Sequence, residues 1–179
     1  TGIRPVSYEI DCLDEVEMTT VLEKEKPDSI IHFAAYKAVG ESTEKPVEYF
    51  ENNIGSLVVL LKLAKTFGVR SLVFSSSCTV YGEPDQMPVT EQSPIQDATS
   101  PYGYTKQVCE RLIEDYCKAN SDFSAILLRY FNPIGAHPSA LIGELPKGVP
   151  NNLIPYVTQT AIGIRDSLTI HGDTYNTPD

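Results

Sequence analysis

Residues 46–74 read PVEYFENNIGSLVVLLKLAKTFGVRSLVF, and the fold can be read outward from this run. Val47, Phe50, Ile54, Leu57, Leu61 and Ala64 recur every three or four residues, the spacing of a helix with one apolar face. Pro46 stands at the first turn, where a missing N–H costs nothing, and Gly68 supplies a C-terminal stop. Ser71 to Phe74 is then short and apolar, the pattern of a buried strand. The same alternation recurs on both sides. Strands are expected at Val6–Ile10, Ser29–Phe33 and Ala125–Tyr130. Helices are expected over Asp11–Lys24 and Pro101–Ala119, and another opens within Pro150–Tyr156. Strands alternating with helices predict an α/β fold, a doubly wound parallel sheet with helices on both faces. In such sheets ligands bind beyond the carboxyl ends of the strands. The residues after Ile10, Phe33, Phe74 and Tyr130 are therefore expected to line one cleft.

At 179 residues, without repeats or a linker, the chain is read as one domain. Lysine and arginine total 14 against 24 acidic residues, a net charge of −10 that argues against nucleic acid or an anionic membrane as partner. No apolar run approaches the roughly 18 residues that a membrane helix needs, and nothing resembles a cleavable signal peptide. Cys12, Cys78, Cys109 and Cys117 show no CxxC spacing and read as reduced cytoplasmic thiols. No metal is expected, and His137 and His171 read as structural or surface residues. Because the chain begins at Thr1 and ends on a polar run, it is expected to be a piece of a longer protein.

Three segments carry candidate chemistry. Ala34 to Lys37 follows a strand, where small residues let the backbone approach a flat ligand and Lys37 can reach a phosphate. The plainer alternative is a surface loop with a solvated lysine. Ser75, Ser76 and Ser77 end the next strand, and their hydroxyls could bind a sugar oxygen or cap the following turn. Tyr102 and Lys106 are spaced i, i+4, so they share one helix face. A free phenol titrates near 10. A neighbouring ammonium is expected to lower that value and make Tyr102 a proton carrier near neutral pH. The carboxylates between Glu41 and Glu51 read as a solvated helix face.

Five stretches, IHFAAYKAVGES, LVFSSSCTVYG, SPYGYTK, LLRYFNPIGAH and GELPKGVPNNLIPYV, run in order over nearly the whole chain. Together they resemble the extended short-chain dehydrogenase/reductases and, within them, the UDP-glucose 4-epimerases of the fungal and animal type. The resemblance implies a Rossmann-like domain, bound NAD, and interconversion of UDP-glucose and UDP-galactose in galactose metabolism through transient oxidation at sugar C4. It implies that Tyr102 is the acid/base, that Ser77 bonds the same sugar oxygen, and that Lys106 contacts the cofactor. Asp11 and Cys12 match the adenine pair, and Phe33, Ala34, Ala35, Lys37 and Asn52 match further cofactor contacts. Tyr130 or Phe131 matches the neighbour of the nicotinamide. Cys78, Thr79, Asn132, Asn151, Asn152, Leu153 and a strand at Thr169, Ile170 and His171 match positions facing the UDP-sugar. Helices 47–66 and 101–119 resemble a homodimer interface. Residues 1–179 would then be a partial NAD-binding domain, with a substrate lobe beginning at about residue 133.

The departures are equally specific. The family's glycine-rich loop would precede Thr1, so the piece alone is expected to bind NAD poorly and to be inactive. Ala35-Tyr36 stands where Gly-Leu is usual, and Cys78 where Ala is usual. A 4,6-dehydratase or decarboxylase of the same family would carry carboxylates near residues 78 and 79, and this chain has none there. A non-catalytic nucleotide-sugar-binding fragment is the remaining alternative.

Overall fold

The computed structural model describes residue 2, residues 4–144, 146, 148–150, 152–170, 172 and 174. Its elements in chain order are α1 (Glu15–Glu25), β1 (Ser29–His32), α2 (Val39–Glu44), α3 (Pro46–Phe67), β2 (Ser71–Ser75), a 3-10 turn (Cys78–Tyr81), α4 (Pro101–Ala119), β3 (Ser124–Leu128) and α5 (Leu153–Ala161). The three strands form a parallel sheet in the order β1-β2-β3. The chain divides into two units, Thr1–Phe131 and Asn132–Asp179.

The helix ends follow their caps. Asp14 accepts from the Val16 and Glu17 amides at 3.0 and 2.9 Å and starts α1. Asp11 is instead taken up in a turn, accepting from the Leu13 amide at 2.9 Å, so the helix begins four residues later than expected. Ser100 caps α4 by accepting from the Gly103 amide at 3.1 Å. Gly68, at φ +69°, closes α3 as its position required.

The strand registers assign one role to each sheet face. Ile30, Leu72 and Ala125 share one row, and His32, Phe74 and Leu127 share the next. This face meets α3 and α4 in a core containing Leu57, Leu61, Ala64, Cys109 and Ile113. Met18 and Leu22 of α1 pack on Val59, Leu60 and Leu63 of α3. The opposite face carries the row Ile31, Val73 and Ile126, and Ile31 and Ile126 are exposed. Among the described residues, no helix is long and apolar enough to cross a membrane.

Several expectations change here. Val6–Ile10 forms no strand, because no described segment offers it a hydrogen-bonding ladder. Its Tyr8 instead donates to Glu25, and Lys24 lies over the Tyr8 ring. β3 stops at Leu128, two residues early, because the Tyr130 amide turns back to the Leu128 carbonyl at 3.2 Å. β1 stops one residue before Phe33. Glu41 and Glu44 lie on a separate short helix, α2, that precedes α3. Thr169 and Ile170 lie in no strand, and His171 falls outside the described residues.

In the second unit Asn152 precedes α5, and its Nδ2 donates to Glu144 at 3.2 Å. Arg165 stacks over Tyr156 and donates to Gln159 at 2.8 Å.

Candidate active site

The end of β2 and the first two turns of α4 bring Ser77, Tyr102 and Lys106 together. Ser77 caps the 3-10 turn, accepting from the Thr79 amide at 3.2 Å. The turn is tied to the end of β3 by a 2.8 Å bond from the Cys78 amide to the Tyr130 carbonyl. Gly103 lets α4 close on this turn, since a Cβ there would lie 3.3 Å from the Thr79 Cβ. Tyr102 is 9% exposed and Lys106 3%. The Lys106 ammonium donates to the Ser75 carbonyl at 2.8 Å and lies 4.9 Å from the Phe74 ring centre.

The electrostatics of this pair differ from the expectation. Burial pushes the Tyr102 phenol above the ordinary tyrosine value, the Ser77 hydroxyl partly opposes that, and Cys78 adds to it. Lys106 does not lower it. Its Nζ sits over the face of the Tyr102 ring, 5.7 Å from the centre, and donates to the Ser75 carbonyl. Burial also lowers the Lys106 ammonium itself. Desolvation therefore outweighs ion pairing at both groups, and the chain holds Tyr102 as a phenol, the form that donates a proton.

A second feature of the first unit is a cleft of about 530 Å³ lined by Glu9, Ile10, Asp11, Cys12, Glu17, Ala34, Ala35, Tyr36, Asn52 and Ser56. It unites the expected groups at residues 11–12, 34–35 and 52. Phe33 and Lys37 do not line it. Phe33 is exposed and stacks on Tyr130, with ring centres 6.5 Å apart, while Phe131 is exposed. Burial and Asp11 raise the Cys12 thiol, so it stays neutral in this cleft. Within the described residues of the second unit, Asn132 and Leu153 are exposed, and Asn151 falls outside them. Thr79 Oγ1 is the one buried side-chain oxygen without a hydrogen-bond partner among the described residues.

Four residues that frame the site are absent from the sequence reading of functional positions. Glu110, 2% exposed, accepts from the Ser76 hydroxyl and takes a two-pronged bond from Arg129 at 3.0 and 2.7 Å. Arg129 also donates to the Tyr81 hydroxyl at 3.1 Å, so one network joins the ends of β2 and β3 to α4. His32 ends β1 beneath Lys106, and burial followed by the Lys106 charge lowers its imidazolium to about 4. Asn53 links α3 to the loop at residue 36 and to Thr105 of α4. The available signal was a polar residue on an apolar face. Asn53 falls four residues after Tyr49 and before Leu57, and Glu110 falls four after Lys106. Glu41 is likewise more than a solvated carboxylate, since it accepts from Tyr49 at 2.9 Å and Lys45 at 3.0 Å.

Comparison with known proteins places these features in a family context. Residues 4–176 match the family described as "NAD dependent epimerase/dehydratase family". The chain is 50% identical to a UDP-glucose 4-epimerase of Dictyostelium discoideum over 179 residues, covering all of this chain and 52% of that protein. It is 48% identical to the UDP-glucose 4-epimerase of Mus musculus, again covering the whole chain and 52% of the relative. Among solved structures, UDP-glucose 4-epimerase from Bifidobacterium longum in complex with NAD+ and UDP superposes with a TM-score of 0.92 at 47% identity, over 98% of this chain and 53% of that one. The chain spans about half the length of the curated relatives it matches.

Proposed function

The chain belongs to the NAD dependent epimerase/dehydratase family, and on that premise we propose that the protein containing it interconverts UDP-glucose and UDP-galactose with bound NAD. The observation that carries this reading is the buried Ser77, Tyr102 and Lys106 cluster after β2 and on α4, in the same unit as a cleft whose lining includes Ala34, Ala35 and Ser56. The cleft fits part of a dinucleotide. Ala34 and Ala35 leave room for a flat ring, while Asp11, Asn52 and Ser56 supply polar groups for a ribose. Asp11 and Cys12 would hold the adenine end, Ala34, Ala35 and Asn52 the middle, and Phe33, Lys37, Lys106, Tyr130 or Phe131 the remainder. When bound, NAD supplies the transient oxidation at sugar C4 and its reversal.

The chain's own residues handle the proton. Tyr102 exchanges a proton with the 4-oxygen of the sugar, and Ser77 hydrogen-bonds that oxygen and holds it toward the phenol. The protonated state of Tyr102 suits the half-reaction that returns the 4-keto sugar to an alcohol. We assign nucleotide-sugar contacts also to Cys78 and Thr79 of the 3-10 turn, to Asn132, and to Asn151, Asn152, Leu153, Thr169, Ile170 and His171 of the proposed substrate lobe. A homodimer through α3 and α4 is part of the proposal, supported by the exposed Val47 and Tyr104 and by the packing of Phe50 on Tyr104 at 5.8 Å. Free thiols at Cys12, Cys78, Cys109 and Cys117 suit a cytoplasmic setting.

The test uses the full-length protein purified without added cofactor. UDP-galactose is supplied, UDP-glucose is followed by chromatography, and absorbance at 340 nm is recorded. Interconversion without accumulating NADH is expected. A 4-keto-6-deoxy product would instead move the protein to the dehydratases, and no product would favour a binding fragment. Tyr102→Phe should lower turnover by about 10²-fold or more while NAD stays bound.

A further inference from the structure

Asn53 lies in the middle of α3, is 2% exposed, and spends every hydrogen-bonding site of its amide. Its Oδ1 accepts from the Tyr36 amide at 2.8 Å and from Asn52 Nδ2 at 3.0 Å. Its Nδ2 donates to the Tyr36 carbonyl at 3.0 Å and to Thr105 Oγ1 at 3.1 Å. Binding both peptide groups of one residue is what a neighbouring strand would do, so Asn53 holds the backbone of residue 36 as a one-residue ladder. Residue 36 lies in the loop that walls the cleft. One turn earlier on α3, the Tyr49 hydroxyl accepts from the Ala38 amide at 3.1 Å and clamps the far end of the same loop.

The other arm reaches the catalytic helix. Thr105 is fully buried between Tyr102 and Lys106 in sequence, and its hydroxyl donates to the Tyr102 carbonyl at 2.7 Å. The Thr105 hydroxyl therefore accepts a hydrogen bond from Asn53 and donates its own to the Tyr102 carbonyl, an ordered chain running from loop to helix. Only an amide can do this. A carboxylate offers no donor to the Tyr36 carbonyl, and an alkyl group offers neither donor nor acceptor.

We propose that Asn53 is a positioning residue that couples the cofactor loop, residues 34–38, to the turn of α4 bearing Tyr102 and Lys106. It touches neither sugar nor reacting atoms. Its effect is to hold the cleft wall and the acid/base group in one geometry, because both hang on the same amide. This rests on the reading above for the role of Tyr102, but the coupling itself is a property of the chain.

The full-length protein with its NAD provides the test, through Asn53→Leu, Asn53→Asp, Thr105→Val and a control, Leu60→Ala, in the α1–α3 packing. Three quantities are read: hydrogen exchange of the peptide spanning residues 33–38, the fraction of NAD retained through gel filtration, and kcat with KM. For Asn53→Leu the loop should exchange faster, NAD retention should drop, and kcat should fall about tenfold or more with sugar KM moved less than about threefold. Asn53→Asp should lie between that variant and the wild type. Thr105→Val should lower kcat while loop exchange and NAD retention stay near wild type. Leu60→Ala should lower the thermal midpoint with kcat, exchange at 33–38 and NAD retention near wild type.

Wild-type loop exchange and kcat in Asn53→Leu would overturn the proposal. So would losses in Leu60→Ala matching those of Asn53→Leu, which would make the role one of general stability. If Asn53→Leu does not fold, Asn53→Asp and Thr105→Val decide the matter by the same readouts. If the wild type binds NAD but does not epimerise, the exchange and retention measurements still judge the coupling, and only the reading of the reaction fails.

Discussion

His32 offers a test that needs no substrate. It ends β1 at 4% exposure, its ring centre 5.9 Å from that of Phe74 and close to the Lys106 ammonium. Burial first, and the Lys106 charge second, lower its imidazolium to about 4. In the unfolded chain it titrates near 6.5. Between those values the unfolded state binds the extra proton, so stability is undiminished above about pH 6.5 and falls as pH drops toward about 4. The difference of about 2.5 pH units corresponds to about 3 kcal/mol in total, of which about 2 kcal/mol is already lost at pH 5. The chain has 3 histidines, so NMR of labelled imidazoles with His32→Gln as the assignment control isolates the signal. Its midpoint should lie about 2.5 units below that of an exposed histidine. Urea unfolding of wild type and His32→Gln at pH 7 and pH 5 gives the linked energy, because the carboxylates common to both proteins cancel. A His32 midpoint near 6.5, or a stability gap between the two proteins equal at both pH values, would refute the reasoning. A neutral His32 adds no positive charge beside the Lys106 ammonium.

Further substitutions probe the framework. Glu110→Ala strands the Arg129 guanidinium and the Ser76 hydroxyl, and should cost about 3 kcal/mol in urea unfolding, the low end for a broken buried pair because the Arg129 side chain keeps 18% exposure. The double variant Glu110→Leu with Arg129→Met should recover most of that loss. Gly82→Ala should cost about 3 kcal/mol, since Gly82 has φ +61° and a Cβ there would lie 2.4 Å from the Asp97 carbonyl oxygen. Gly40→Ala in α2, with nothing within 4 Å, should be neutral or stabilising by up to about 1 kcal/mol under the same assay.

The parts of this fold legible in the chain are those set by local chemistry. The apolar spacing from Val47 to Ala64 and the flanking Pro46 and Gly68 specify α3 to the residue. Tyr102 and Lys106 meet because four residues make about one helical turn. Ala34 and Ala35 line the cleft because they follow the carboxyl end of β1, and Asn52 of α3 and the turn at residues 11–12 close on them. Val6–Ile10 misled for a complementary reason: a β pattern becomes a strand only when another segment supplies the ladder, and that partner is not written in the run itself. The bounds of α2 as a separate helix are not legible, because its six residues, VGESTE, show no apolar period long enough to read.

The site's electrostatics and its bracing were not legible in this way. Spacing brings Lys106 to the same helix face as Tyr102, but whether the ammonium stabilises the phenolate depends on where Nζ ends and how much water remains. In the folded chain Nζ binds the Ser75 carbonyl, and desolvation raises the phenol. Asn53 and Glu110 are likewise ordinary polar letters until partners 17, 52, 34 and 19 residues away close on them. Helix and strand periods, caps and turns act over a few residues, so one segment suffices to read them. Hydrogen-bond partners, burial and pKa values are set by distance and dielectric between remote segments, which exist only once the chain has folded.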